Sequence, residues 1–349
     1  MMKIRGYIGT YIKKDSKGIY TFLLNTKEKQ LEAVSPAAEI ENPTYLAIRN
    51  DNRFLYSVAK ENNLGGVAAF LPDKATGKLT EINKQLAAGP PPCHVSVNKK
   101  GTLLLSANYH TGTASVYPLN RENGSVNSPP LTVKHHGAGP DPRQGQARAH
   151  FAAFDPEERF VIVVDLGCDA VFTYEIAGGT LREKNRLHVK AGCGPRHLAF
   201  HPGGPFAYVM TEFSSEVIAL AYDQDNGSFT ELQYIRTINP SFRENNQGSA
   251  IHISRDGRFL YTANRGENSI AVFKIEPTSG MLEWIDRTPT EGHWPRDFSL
   301  DPTEKFLICA NQESDNIVLF ERNPETGKLS LIQSDITVPN PVCVKFFHI

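Results

Sequence analysis

The chain has 349 residues, 40% of them hydrophobic and 21% charged, with a formal net charge of −1 at pH 7. That composition excludes a disordered or fibrous protein and supplies enough apolar material for a sizeable core. A charge so close to zero excludes global attraction to nucleic acid or to an anionic membrane, so any charge-based recognition must be local.

Three strands open the chain, at residues 7–11, 18–25 and 30–34. A unit of four short strands then recurs six times, over residues 44–83, 94–133, 150–189, 196–235, 250–287 and 296–334. Its second strand is the clearest mark: Phe54-Leu55-Tyr56, Leu103-Leu104-Leu105, Phe160-Val161-Ile162, Phe206-Ala207-Tyr208, Phe259-Leu260-Tyr261 and Phe306-Leu307-Ile308. Around residues 257–273 an apolar run, a polar turn and a second apolar run read as a β-hairpin. A period of roughly 50 residues in an all-β pattern points to a propeller. The final strand, residues 341–347, has nothing after it, and the three N-terminal strands have no first strand before them. Joined, they complete a seventh blade and leave no open sheet edge. The expected fold is therefore all-β: a seven-bladed β-propeller of four-stranded antiparallel blades, closed by the two chain ends, with residues 1–349 as one domain.

Turn formers at residues 73–77, 121–124 and 323–327 separate strands three and four. Two connections between blades are long, at residues 134–149 and 239–248. The first is rich in His, Arg and Gly and is the better candidate for function. The five cysteines are odd in number and contain no CxxC pair, which points away from a disulfide framework or zinc site and toward a reducing compartment. Residues 1–7 lack the apolar run of a signal peptide, and no stretch approaches the roughly 18 apolar residues of a membrane span. The expected location is the cytoplasm.

In antiparallel blades the start of strand one and the end of strand two share one face, around one mouth of the central channel. The sequence puts His94, His150, Arg196, His197, His252, Arg296 and Asp297 at the first position. It puts Lys60, Glu61, Asn108, Tyr109, His110, Asp165, Glu212, Asn264, Arg265, Asn311 and Gln312 at the second. The opposite face carries plain turn chemistry. Arginines gathered at one cavity suit a phosphate or carboxylate ligand, which a guanidinium binds through two parallel hydrogen bonds. The competing reading is that each arginine ties blades together through a nearby carboxylate, as Arg296 could through Asp297. Among arginines Glu212 would be ionised and could accept a proton or position water, and a histidine such as His150 could act as general base or acid. No HxH, HExxH or G-x-S-x-G spacing occurs, and the mouth offers more Arg than carboxylate, the wrong balance for a hard cation. No metal and no cofactor are expected.

Together, Tyr7-Ile8-Gly9-Thr10-Tyr11, Asn42-Pro43-Thr44-Tyr45, Pro92-Cys93-His94-Val95, Ala149-His150, Val164-Asp165-Leu166-Gly167, Gly194-Pro195-Arg196-His197, Glu212, Ala263-Asn264-Arg265-Gly266 and Pro295-Arg296-Asp297-Phe298 resemble the lactonase family of seven-bladed propellers. That family contains the cycloisomerase-type bacterial 6-phosphogluconolactonases and the fungal 3-carboxymuconate cyclases. The resemblance covers essentially the whole chain. It implies a catalytic set of His150, Arg196, Glu212 and Arg265, and His94, Asn108, Asp165, His197 and Arg296, placed at the same mouth, are expected to bind substrate. One departure is Arg148, where relatives often carry the first histidine of a His-x-His pair. The implied reaction is hydrolysis of 6-phosphoglucono-1,5-lactone, a step of the pentose phosphate pathway. The implied partner is a small anionic lactone, with no nucleic acid and no membrane, and the chain is expected as a monomer or weak homodimer. Two alternatives stay open: a lactonase or cycloisomerase acting on a carboxylated, unphosphorylated compound, and a non-catalytic binding platform.

Overall fold

A computed structural model describes residues 3–13 and 15–349. Among them lie seven four-stranded antiparallel sheets. Six are continuous in sequence: blade one (residues 46–88), blade two (94–134), blade three (149–188), blade four (195–236), blade five (247–289) and blade six (295–337). Blade seven combines the C-terminal strand Pro341–Phe346, as its first, with Lys3–Thr10, Gly18–Asn25 and Gln30–Glu39. The first strand of each blade touches that of the next, and Pro341–Phe346 touches the first strands of blades six and one, so the ring is complete. Its closure is a backbone pairing, Gly6 to Gly9 against Phe346 to Cys343.

Strands two and three of a blade are apolar on both faces because a neighbouring blade covers each face. Ile162, Val164 and Val171 of blade three share one core with Ala207, Val209 and Ile218 of blade four. Phe306 and Ile308 of blade six share another with Ile8 and Phe22 of blade seven. Outer strands such as Leu329–Thr337 are mostly exposed or partly covered.

The turns between strands three and four, generic by sequence, lock neighbouring blades together. Gly124, Gly227, Gly280 and Gly327 all have positive φ, from 69° to 75°. An added Cβ would fall 2.3–2.5 Å from the ring of Phe54, Phe206 or Phe259 at Gly124, Gly280 and Gly327, and 3.0 Å from Phe160 at Gly227. Glycine therefore serves both the left-handed turn and the close approach of the preceding blade's aromatic ring. Tyr208 Oη and Tyr261 Oη add hydrogen bonds of 2.8 Å to the carbonyls of Gly280 and Gly327.

One boundary differs from the sequence expectation in a way that matters. Strand one of blade five is Gln247–Ile253, not 250–254. Gln247 and Gly248 pair with Arg265 and Asn264, which extends the strand toward the channel mouth. His252 consequently lies near the strand's far end rather than at its start.

Candidate active site

At the channel mouth the pairing of strands one and two is broken in the same way in several blades. In blade three Ala149 faces Asp165 and Phe151 faces Val164, leaving His150 as an extra residue. In blade four Pro195 faces Thr211 and His197 faces Met210, leaving Arg196. In blade six Pro295 faces Asn311 and Asp297 faces Ala310, leaving Arg296. Each is a β-bulge, which interrupts the alternation of a strand and re-aims a side chain. Blade five gains its extra residue between Gly248 and Ile251. Arg265 ends strand two of blade five, and Glu212 directly follows strand two of blade four.

These side chains meet. Arg196 Nε lies 3.0 Å and Arg265 Nη2 2.8 Å from the same oxygen, Glu212 Oε2. Three consecutive carbonyls of the bulged strand hold the two guanidinium groups. Arg265 Nε donates to Gln247 O at 3.3 Å and Nη2 to Gly248 O at 2.9 Å, and Arg196 Nη1 donates to Ser249 O at 2.7 Å. A Cβ on Gly248 would meet Thr211 O and Met210 Cε at 2.2 Å, so only glycine allows this cradle to form.

Burial opposes charge on all three groups. It brings the pKa of Arg196 down to about 10, with Arg265 the next cause. It lowers that of Arg265 against the opposing pull of Glu212. It pushes the Glu212 carboxyl up, but Arg265 and Arg196 outweigh it and hold the group below its ordinary value. The pair of arginines and the carboxylate are thus an ionised triad.

Arg296 differs. Asp297, its suspected partner, points elsewhere: Asp297 Oδ2 lies 3.6 Å from Lys345 Nζ and accepts from Val344 N at 3.0 Å, and Oδ1 lies 3.7 Å from His252 Nε2. Among the described residues no carboxylate pairs with Arg296. Its Nη1 is 3.4 Å from Gln312 Oε1, and its guanidinium lies 5.3 Å from the centre of the Tyr11 ring. Three cations therefore face one carboxylate.

His150 is buried, and among the described residues its Nδ1 has no hydrogen-bond partner. Burial, then Arg196 and Arg296, push its pKa well below the ordinary histidine value, so the ring is neutral. One step deeper, His94 and His197 pack with Tyr45 and Phe151, the rings 4.3–5.8 Å apart. They form the floor of the site rather than its wall. Burial lowers the pKa of His94 to about 3, and burial followed by Arg196 lowers that of His197. A cavity of 230 Å³ adjoins this floor, lined in part by Tyr45, His197, His252 and Arg255. Lys345 joins this layer, 3.3 Å from Tyr45 Oη. Sequence reading missed it. The available signal was a lone cation inside an otherwise apolar final strand.

Two expected substrate ligands are structural. Asp165 has no exposed surface. Its Oδ2 lies 2.7 Å from His135 Nδ1, while Oδ1 accepts from the backbone of Arg148, Gly167 and Cys168 at 2.7–3.0 Å. His135 Nε2 in turn meets Tyr174 Oη at 2.9 Å. The first long connection is pinned from below in this way, which also explains the histidine in it. Asn108 donates to Pro90 O at 2.9 Å and accepts from His110 and Thr111 N at 3.0 and 3.2 Å. Asn264 and Asn311, at the same blade position, donate likewise to Thr237 O and Thr290 O. These asparagines tie strand two to the connection before strand one.

The rim combines aromatic rings with guanidinium groups: Arg265 near Trp294 (5.6 Å), Arg148 over Tyr109 (4.5 Å) and Arg143 over Phe213 (3.7 Å). Arg143 and Arg148 come from the first long connection, where Asp141 caps a short 3-10 turn, Pro142–Gln144, and pairs with Arg143. The second contributes the carbonyls of Gln247 and Gly248, at its end, to the arginine cradle. Among the described residues no group of three or more His, Cys, Asp or Glu side chains could hold a metal ion, and no helix is long and apolar enough to cross a membrane.

The fold is a ring of seven blades that gathers three arginines, a carboxylate and a neutral histidine at one channel mouth. The model of the family described as "Lactonase, 7-bladed beta-propeller" matches residues 5–346, and the chain belongs to that family. It is 50% identical over 348 residues to the 6-phosphogluconolactonase of Bacillus subtilis (strain 168), covering 100% of this chain and 99% of that one. A solved structure of a protein from Lactobacillus plantarum shares 42% identity and superposes with a TM-score of 0.94, covering 99% of each chain. The periplasmic gluconolactonase PpgL of Pseudomonas aeruginosa is 29% identical, with a TM-score of 0.93 and 99% of each chain covered.

Proposed function

We propose that the chain hydrolyses 6-phosphoglucono-1,5-lactone to 6-phosphogluconate, the lactone-opening step of the pentose phosphate pathway. The observation that carries this reading is the convergence of Arg196 and Arg265 on Glu212 Oε2 beside the unpartnered Nδ1 of His150. Full-length identity of 50% to a relative named for that reaction supports the choice of substrate.

In the reaction, water attacks the lactone carbonyl carbon while neutral His150 accepts one of its protons at Nδ1. Arg196 Nη2 and Arg265 Nη1, the guanidinium nitrogens not engaged by protein carbonyls or by Glu212, stabilise the oxyanion of the tetrahedral intermediate. Collapse breaks the bond between that carbon and the ring oxygen, and the protonated His150 delivers its proton to the departing oxygen. The product acid then ionises, releasing one proton to solvent. Glu212 is a poor proton acceptor because two guanidinium groups stabilise its ionised form. Its part is to fix them in position and offset their repulsion. His94 and His197 support His150 from below.

Five free thiols support a reducing, cytoplasmic location, with the chain acting as one propeller domain, monomeric or weakly dimeric. Similarity to a gluconolactonase favours an unphosphorylated sugar lactone as the second reading. The test is turnover of 6-phosphoglucono-1,5-lactone above its spontaneous rate, with and without chelator, beside glucono-1,5-lactone. Absence of any acceleration with the phosphorylated lactone would sink the proposal, and acceleration of the unphosphorylated one alone would select the second reading.

A further inference from the structure

We infer that Arg296 anchors the phosphate of the substrate, so that the lactone lies across the mouth with its carbonyl carbon toward Arg196, Arg265 and His150. This inference rests on the lactonase reading and specifies how that site orients its ligand.

The three guanidinium groups differ in how many donors they leave free. A guanidinium carries five N–H donors. Arg196 commits three: Nε to Glu212, and Nη1 to Ser249 O and to His197 Nε2. Arg265 also commits three: Nε to Gln247 O, and Nη2 to Gly248 O and to Glu212. Each keeps two, enough for one oxyanion. Arg296 commits one, to Gln312 Oε1 at 3.4 Å, and keeps four.

Charge makes the same division. Glu212 offsets the arginine pair, whereas Arg296 has no carboxylate partner among the described residues. A phosphate monoester carries about −1.5 to −2 charges at pH 7 and three strong acceptor oxygens. It needs a free fork and an uncompensated charge, and Arg296 supplies both. Tyr11 covers one face of the Arg296 guanidinium, which restrains it and leaves its donor edge open. Arg296 also sits on a bulged inner strand rather than a loop, and its field reaches both Glu212 and His150.

The rival anchors are on the first long connection. Arg143 is neutralised by Asp141, with Nε and Nη2 at 2.8 and 2.7 Å from its two oxygens. Arg148 has no such partner among the described residues, but its Nε is held by Arg143 O and its plane lies over Tyr109 at the outer rim.

The experiment compares kcat/KM for 6-phosphoglucono-1,5-lactone and glucono-1,5-lactone in the wild type, Arg296→Gln, Arg296→Lys and Arg148→Gln. Binding of inorganic phosphate to the same proteins is followed by calorimetry. Arg296→Gln is expected to cut the preference for the phosphorylated lactone by about tenfold to hundredfold, the range for a charged hydrogen-bonded contact. Arg296→Lys, which keeps the charge and loses the fork, should fall between, and it remains informative if the glutamine variant does not fold. Phosphate binding should weaken with Arg296→Gln. An unchanged preference, an equal loss on both lactones, or a preference lost in Arg148→Gln instead overturns the assignment. If the wild type turns over neither lactone while phosphate binding still depends on Arg296, the anion site stands and the lactonase reading falls. If turnover is present but indifferent to Arg296, the reverse holds.

Discussion

Arg196 and Arg265 belong to neighbouring blades, yet both donate to a single oxygen, Glu212 Oε2, at 3.0 and 2.8 Å. Two like charges are held together by one carboxylate and by the carbonyls of residues 247–249. Removing that carboxylate leaves two guanidinium groups buried and unbalanced. Glu212→Gln is therefore expected to destabilise the fold by about 3 kcal/mol, the lower end for breaking a buried pair, as read by urea denaturation. The sign with pH follows from the depressed carboxyl. Its contribution is fully present above the unfolded value of 4.5 and is lost as pH falls through the lower folded value. Glu212→Gln should flatten that acid limb.

Arg196→Ala and Arg265→Ala should each lower kcat/KM by about 10²–10³ with an unchanged circular dichroism spectrum, the usual effect of losing one oxyanion donor. Because the two share Glu212, the double variant should lose less than the product of the single losses. Full activity in both single variants would remove this site from consideration.

His150, His94 and His197 are all held neutral, chiefly by burial. An ordinary histidine base would halve kcat/KM near pH 6.5. Here kcat/KM should stay level between pH 8 and 6 and fall only at more acid values. Stability behaves in the same sense. It is complete above the unfolded histidine value near 6.5, and declines as pH drops toward the folded values, by up to about 1.4 kcal/mol per pH unit for each histidine. Denaturation midpoints at pH 7 and pH 5 test this.

Gly280 has φ +69°, and a Cβ there would lie 2.4 Å from the Phe206 ring. Gly280→Ala should cost at least about 1–2 kcal/mol for the left-handed backbone alone, with more from the displaced ring. The midpoint should shift while activity per folded molecule does not.

Asp165→Asn should release the connection at residues 134–149, since the Asp165–His135 contact is buried at both ends. An expected loss of about 1–3 kcal/mol for a buried polar group left unsatisfied should come with faster proteolysis in that connection. Unchanged proteolysis would argue that Gln144, bonded to Leu166 O and Asp169, is sufficient to hold it.

Much of this protein was open to reading from residue order alone. A repeat of roughly 50 residues, its recurrent apolar second strand and the incomplete units at both ends establish a ring of seven sheets, because each apolar face can be buried only against the next copy. The same repeat aligns Arg196, Glu212, Arg265 and His150 at one mouth. Which side chain points where was decided by tertiary structure. A bulge is one extra residue in a pairing, and a single strand's sequence does not reveal it. For that reason Asp297 could be paired in thought with Arg296, although it reaches Lys345, a residue delivered by the closing C-terminal strand. Asp165 and Asn108 look like mouth residues by position. They are used up by His135 and by backbone groups, because a buried polar atom takes the nearest partner that satisfies it, however distant in sequence.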